Sequence, residues 1–262
     1  MGKMTNFRIN SIAFGSILLI GAFNACQFAS LGQVMPDEVG KPRTVPGGPR
    51  FVQPAEDLDR SSPIPAVRSL RGSCDIKDQL NLTALVPQNK VARTVSDYPT
   101  FFFYLPKTEA KSAEFMLLDK SGKPIYQQTL TITNLSGVIG VSIPASKNVP
   151  PLEVGKNYRW TFTVICDSQD RSADLVEIGT VRRVELSADI RSELEKADPR
   201  RKTAIYAENG IWQDALSNVA AALRAQPSDA ALKADWESLL DSVTLGKIAK
   251  EPIVQNEPQP IK

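Results

Sequence analysis

The chain has 262 residues, 42% of them hydrophobic and 23% charged, a globular balance rather than a disordered or fibrous one. Its formal net charge is +2, and Lys3 and Arg8 supply that excess, leaving 29 basic and 29 acidic groups beyond residue 32. A neutral body has no general attraction for nucleic acid or an anionic membrane, and a chain with no histidine cannot build Ser-His-Asp, Cys-His or histidine-ligated metal sites.

Residues 1–32 read as a signal peptide. Lys3 and Arg8 form a positive start, and Ile12–Phe23 is an apolar core too short to span a bilayer comfortably. Ser30-Leu31-Gly32 places small residues at the positions that cleavage before Gln33 requires. A second reading makes Cys26 a lipidated first residue, although Phe23-Asn24-Ala25 fits a lipoprotein signal only at Ala25. The expected location is exported, periplasmic or extracellular, with lipid anchoring in the envelope as the alternative. Contact with a membrane is expected only if Cys26 carries a lipid.

Residues 33–72 hold seven prolines, Pro36, Pro42, Pro46, Pro49, Pro54, Pro63 and Pro65, and no apolar periodicity. This is the composition of a solvated linker. Residues 73–186 then repeat short β-prone runs separated by turn residues: Leu82–Val86, Val91–Val95, Thr100–Leu105, Glu114–Leu118, Ile125–Ile132, Val138–Ile143, Tyr158–Cys166 and Asp174–Val184. Prolines fall between these runs and not within them, as ladder hydrogen bonding demands. In Tyr158–Cys166 the residues Tyr158, Trp160, Phe162, Val164 and Cys166 alternate with polar ones, the period of a strand with one buried face. Phe101–Tyr104 is aromatic on both faces and predicts a strand covered on both sides. Seven or eight short strands at this spacing predict an α+β protein built on an antiparallel, immunoglobulin-like β-sandwich, with an open sheet or barrel as alternatives.

After Val184 the period changes. Residues 187–250 predict a short C-terminal helical segment: a helix from Ser187 or Asp189 through Leu194, one capped by Asp198-Pro199 and ending at Gly210, one over Ile211–Ala225, and one carrying Leu232, Trp236, Leu239, Leu240 and Val243. Residues 251–262 read as a disordered tail.

Two cysteines remain in the folded part once Cys26 is set aside. An oxidising location favours a Cys74–Cys166 disulfide over two separate buried thiols, because Cys166 ends a strand and Cys74 precedes one. The acidic turn Asp167–Asp174 is the most site-like segment. Asp167, Asp170 and Asp174 are weak candidates for a Ca²⁺ site, but their spacing is not that of an EF-hand, and hydrogen bonding to turn amides is the plainer account. Arg182-Arg183 lie on opposite faces of a strand and do not form an anion clamp. No catalytic motif, phosphate loop or dinucleotide fingerprint is present, so neither enzymatic activity nor a cofactor is expected.

Two resemblances add to this. Within Tyr206–Pro227 the spacing of Tyr206, Gly210, Ala215, Val219, Ala222 and Pro227 resembles a single tetratricopeptide repeat, with Lys202-Thr203 in place of its first-helix Leu-Gly pair. One unit cannot bury its own face and must pack on its neighbours. Over residues 74–255 the chain is similar to a cyanobacterial domain of unknown function family, number 928. The motifs that carry this are Leu82–Pro87, Tyr98–Pro106, Ala113–Asp119, Pro151–Arg159, Ile165–Asp174, Val181–Glu185, Tyr206–Leu216 and Trp236–Leu240. That resemblance implies export and brings no activity with it. The expected role is a non-enzymatic protein-interaction module of the cell envelope, with another envelope or secreted protein as partner. A carboxylate-based carbohydrate-active enzyme or a glycan-binding sandwich is the alternative.

Overall fold

The computed structural model describes residues 48–55, 74, 76 and 80–254. Residues 1–32 and Cys26 lie outside the described residues. Eight strands form: β1 Thr83–Ala84, β2 Val91–Thr94, β3 Thr100–Leu105, β4 Ser112–Leu118, β5 Pro124–Thr131, β6 Gly137–Ser142, β7 Asn157–Ile165 and β8 Leu175–Arg183. They divide into a three-stranded sheet, β1-β3-β6, and a five-stranded sheet, β2-β8-β7-β4-β5. The architecture is α+β, and every strand pair is antiparallel except β2 with β8. That one parallel pair departs from the expected all-antiparallel arrangement. Because β2 enters at the edge from far upstream, it is not bound by the hairpin geometry that makes sequence neighbours antiparallel.

The alternation read from the sequence is what brings the sheets together. In β4 the residues Ala113, Phe115 and Leu117 are fully buried, and in β7 so are Trp160, Phe162 and Val164, while their neighbours face outward. From the smaller sheet Phe101 and Phe103 meet them. Phe103 stacks on Phe162 with ring centroids 4.2 Å apart, and Phe101 lies 4.9 Å from Phe115. Trp160 sits edge-on to Phe103 at 5.5 Å. These offset and edge geometries suit the ring quadrupoles.

Trp160 also explains a glycine. Its indole lies over Gly179 on the neighbouring strand, where a Cβ would fall 2.1 Å from the ring. A bare backbone here makes room for the largest side chain of the core.

Four helices follow: α1 Ala188–Lys196, α2 Pro199–Glu208, α3 Trp212–Ala225 and α4 Ala230–Asp241. Three start on side-chain caps, the first two at residues read from the sequence. Ser187 accepts from Ile190 N, Asp198 from Arg201 N, and Asp229 from Ala231 N and Leu232 N. Gly210, with φ +70°, turns α2 into α3. These helices are not a separate segment: α3 lies against β2 and β3, and its Trp212 indole donates to Leu85 O at 2.8 Å. Phe102 and Tyr104, on the face of β3 turned away from Phe101, are as buried as the rest of the core.

Two stretches depart from the sequence reading. Part of the expected solvated linker docks: Phe51 packs edge-on against Trp212 at 5.0 Å, and Val52 N donates to Ala207 O at 3.0 Å. One aromatic side chain with a site beside an indole outweighs the surrounding prolines. The tail likewise begins as structure, since Val138 N donates to Pro252 O and Val254 N to Val138 O, each at 2.8 Å, capping the edge of β6.

Replacing Gly179 with alanine forces Trp160 out of its place in the core. Overpacking of this kind is expected to cost about 1–3 kcal/mol of unfolding free energy, measured by denaturant titration. An unchanged midpoint would show that Trp160 has room to move.

Candidate functional site

Residues singled out from the sequence prove to be structural. A disulfide joins Cys74 to Cys166, with Cα atoms 5.0 Å apart, and spans 92 positions of chain. In the acidic turn each carboxylate is engaged locally: Asp167 accepts from Gln169 N at 2.8 Å, Asp170 from Ser172 N at 3.0 Å, and Asp174 from Cys166 N at 3.0 Å. Asp174 is buried and also pairs with Arg171. The hydroxyl and amide of Ser172 hold the Asp170 carboxyl below its ordinary range. Hydrogen bonds to the anion favour the charged form. The turn closes upon itself, and among the described residues no group of three or more acidic or cysteine side chains converges on a cation-sized point.

The aromatic row is likewise consumed by the core, with Phe101, Phe102, Phe103 and Tyr104 all fully buried. Arg183 pairs with Asp97 and donates to Leu152 O, binding loops rather than a ligand. The repeat-like hairpin of α2 and α3 is covered at its turn by residues 51–54, whose Pro54 lies against Gly210.

Two features with no counterpart in the sequence reading remain. The first is a cleft of about 280 Å³ between the β2–β3 connection and helices α2 and α3. Thr94, Ser96, Tyr98 and Thr100 line one wall, and Tyr206, Gln213, Asp214 and Ser217 the other. Asp214 stands in the first turn of α3, where Thr94 Oγ1 donates to its Oδ2 at 2.8 Å and Val95 N at 3.1 Å. Protein surrounds most of the carboxyl, and that burial pushes its pKa up to about 6 in spite of those hydrogen bonds. The Tyr206 phenol is raised too, first by burial and then by the Asp214 charge. Beside them Gln213, 1% exposed, donates its amide to Thr100 O at 3.1 Å and leaves its Oε1 buried without a hydrogen-bond partner.

The second is the free edge of the five-stranded sheet. Ile132 N donates to Lys111 O at 2.9 Å, so these two form a hydrogen-bonded pair across the ladder. Counting along β5 in twos, Leu130, Gln128 and Tyr126 turn their backbone groups toward β4, and Thr131, Thr129 and Gln127 turn theirs away. No described strand pairs with them. From Pro124 to Thr131 there is no charged side chain, although charge is the usual device for blunting an edge. Pro124 and the bulge at Leu117/Leu118 protect only the first residues.

Sequence alone gives little warning of either. An acid in a first helical turn reads as a solvated partner of the helix dipole, and nothing near Asp214 points to Thr94, 120 positions away. The uncharged composition of β5 is legible, but its edge position follows from strand order.

The family model described as Domain of Unknown Function (DUF928) matches residues 66–253, and the chain belongs to that family. No curated protein matches. Among solved structures, one titled as astrotactin-2, a conserved vertebrate-specific and perforin-like membrane protein involved in neuronal development, is similar at 12% identity and a TM-score of 0.23. The likeness covers 60% of this chain and 33% of that one, so the chain spans about a third of its length. A likeness this loose carries no argument about fold or role.

Two measurements follow. A loop of this size predicts that reducing Cys74–Cys166 lowers unfolding free energy by about 2–5 kcal/mol, read from denaturation with and without reductant. Equal midpoints would leave the bridge without energetic weight. For Asp214 the folded pKa lies above the ordinary 3.8. Its favourable contribution is therefore complete below that value and lost as pH rises through about 6. Asp214→Asn keeps an acceptor for Thr94 and Val95 without the charge, and should be more stable than the parent by about 1–3 kcal/mol near pH 7.5, converging below about pH 4. A variant less stable than the parent at neutral pH would contradict the burial argument.

Proposed function

We propose that this member of the DUF928 family is a non-enzymatic interaction module of the cell envelope that pairs, along β5, with an extended segment of another exported protein. The observation that carries this is the open edge of β5. Among the described residues nothing pairs with the outward backbone donors and acceptors of Gln127, Thr129 and Thr131, and no charge on the strand repels an incoming one. Strand addition draws its affinity from main-chain hydrogen bonds and its specificity from alternate side chains. A partner segment suited to this edge is short, β-prone and uncharged, with hydroxyl or amide side chains opposite the Thr and Gln row.

Export rests on the signal-like pattern of residues 1–32, and anchoring, if Cys26 is lipidated, would hold the module at a membrane surface. In this reading the immunoglobulin-like sandwich and the repeat-like hairpin of a cyanobacterial envelope protein are supports, keeping a rigid sheet behind the pairing edge. The inventory of residues agrees with a role that involves no chemistry: there is no histidine, and the carboxylates of the acidic turn are occupied by turn amides.

Thr129→Lys places a charge on the pairing edge at an exposed position where the β4 ladder is untouched, so folding should be unaffected. The expected result is that the parent and a control carrying a lysine at exposed Val154 retain one and the same envelope protein, while Thr129→Lys loses it. Retention of that partner by Thr129→Lys would overturn the proposal. So would a concentration-dependent homodimer, abolished by the same substitution, with no second protein bound.

A further inference from the structure

We propose that the cleft between the β2–β3 connection and helices α2 and α3 is a binding site for a single neutral sugar ring. This stands apart from β5 and does not depend on it. The cleft's volume of about 280 Å³ lies just below the usual range for ligand sites, about 300–1,000 Å³, which suits one ring rather than an extended chain. Its lining carries no lysine or arginine, so nothing there recognises an anion.

The Gln213 oxygen is the most specific pointer. The amide of Gln213 is fixed by its bond to Thr100 O, which settles which end of the group is oxygen, and that oxygen is then a buried acceptor with no donor. Buried polar atoms in folded proteins are nearly always satisfied. Gln213 lines the cleft, and a hydroxyl brought to this oxygen by a small rotation of the side chain would satisfy it. Asp214 adds a second acceptor in the same wall. Thr94 and Val95 both donate to its Oδ2. Ser217 and the hydroxyl of Tyr206 add groups that both donate and accept, as a polyol requires, while the Tyr98 hydroxyl already donates to Val149 O at 3.5 Å. Tyr98, Tyr206 and Pro99 also line the cleft and supply a small apolar surface for a pyranose. Acceptors for hydroxyls, mixed donors and two aromatic rings in one small cleft match a neutral sugar better than a cation, which would rest on a single carboxylate already holding two hydrogen bonds.

The probes are glucose, galactose and N-acetylglucosamine, with glucosamine as the cationic comparator and glucuronate as the anionic one. Binding to the full chain is followed by saturation-transfer NMR and by displacement of the Asp214 and Gln213 signals. At least one neutral sugar is expected to bind saturably, ahead of both charged comparators. Gln213→Leu, which removes the buried acceptor, should weaken it about tenfold. Ser217→Phe, at a partly exposed position, should abolish binding by filling the cleft while leaving the core untouched. Three results would overturn the proposal: no neutral sugar binds, glucosamine binds more tightly than its neutral counterparts, or binding survives Ser217→Phe. If Gln213→Leu fails to fold, Ser217→Phe alone decides.

Discussion

Everything in this molecule leans on β3 being covered from both sides. Phe101 and Phe103 project into the five-stranded sheet, and Phe102 and Tyr104 project the other way, all of them within about 2% of complete burial. A strand that hides four consecutive aromatics needs a layer on each face. One is the sheet carrying Phe115, Trp160 and Phe162; the other side is where α3 comes in, tied through Trp212 to Leu85 O and through Gln213 to Thr100 O. The helices are thus not an appendage to a finished two-sheet core. They complete it, and the hydrophobic contacts of sheets and helices run together as one core. Burying aromatics of this size on both faces contributes more than hydrogen bonds at the surface, where exposed ion pairs are worth about 0–1 kcal/mol each.

Local elements of this fold were legible in the sequence because their causes are local. Alternation in Tyr158–Val164 reports one buried face whatever lies opposite it, and Ser187 and Asp198 cap helices with atoms three residues away. Strand order is a different kind of quantity. Nothing in Val91–Thr94 announces a parallel partner in Thr180–Arg183, and nothing in Phe51 announces that it will leave a proline-rich stretch to lie on Trp212. Such pairings depend on which surfaces remain uncovered once the nearer contacts are made.

The same distinction separates the two candidate sites from the residues the sequence put forward. Asp167, Asp170 and Asp174 are conspicuous because they are close in sequence, and closeness in sequence is what lets them satisfy neighbouring amides. Asp214 and Gln213 are inconspicuous in their helix. They matter because the β2–β3 connection folds over them from more than a hundred residues upstream. The edge of β5 is open among the described residues for an equally remote reason: the C-terminal residues bridge the edge of β6 at Val138, and no described strand reaches this one.

The link from Cys74 to Cys166 has a bearing on how the molecule would survive damage. Between those two residues lie seven of the eight strands, including both members of every contact between aromatic rings across the two sheets. That part of the chain is a covalent ring. One cut by a protease in any of its turns, the one at Asp119–Gly122 for instance, makes a new pair of ends but releases no piece, because both halves stay attached through sulfur. Two cuts are needed before any of those seven strands can leave. Outside the ring the helical region has no such tie and is held to the sheets by packing and hydrogen bonds alone.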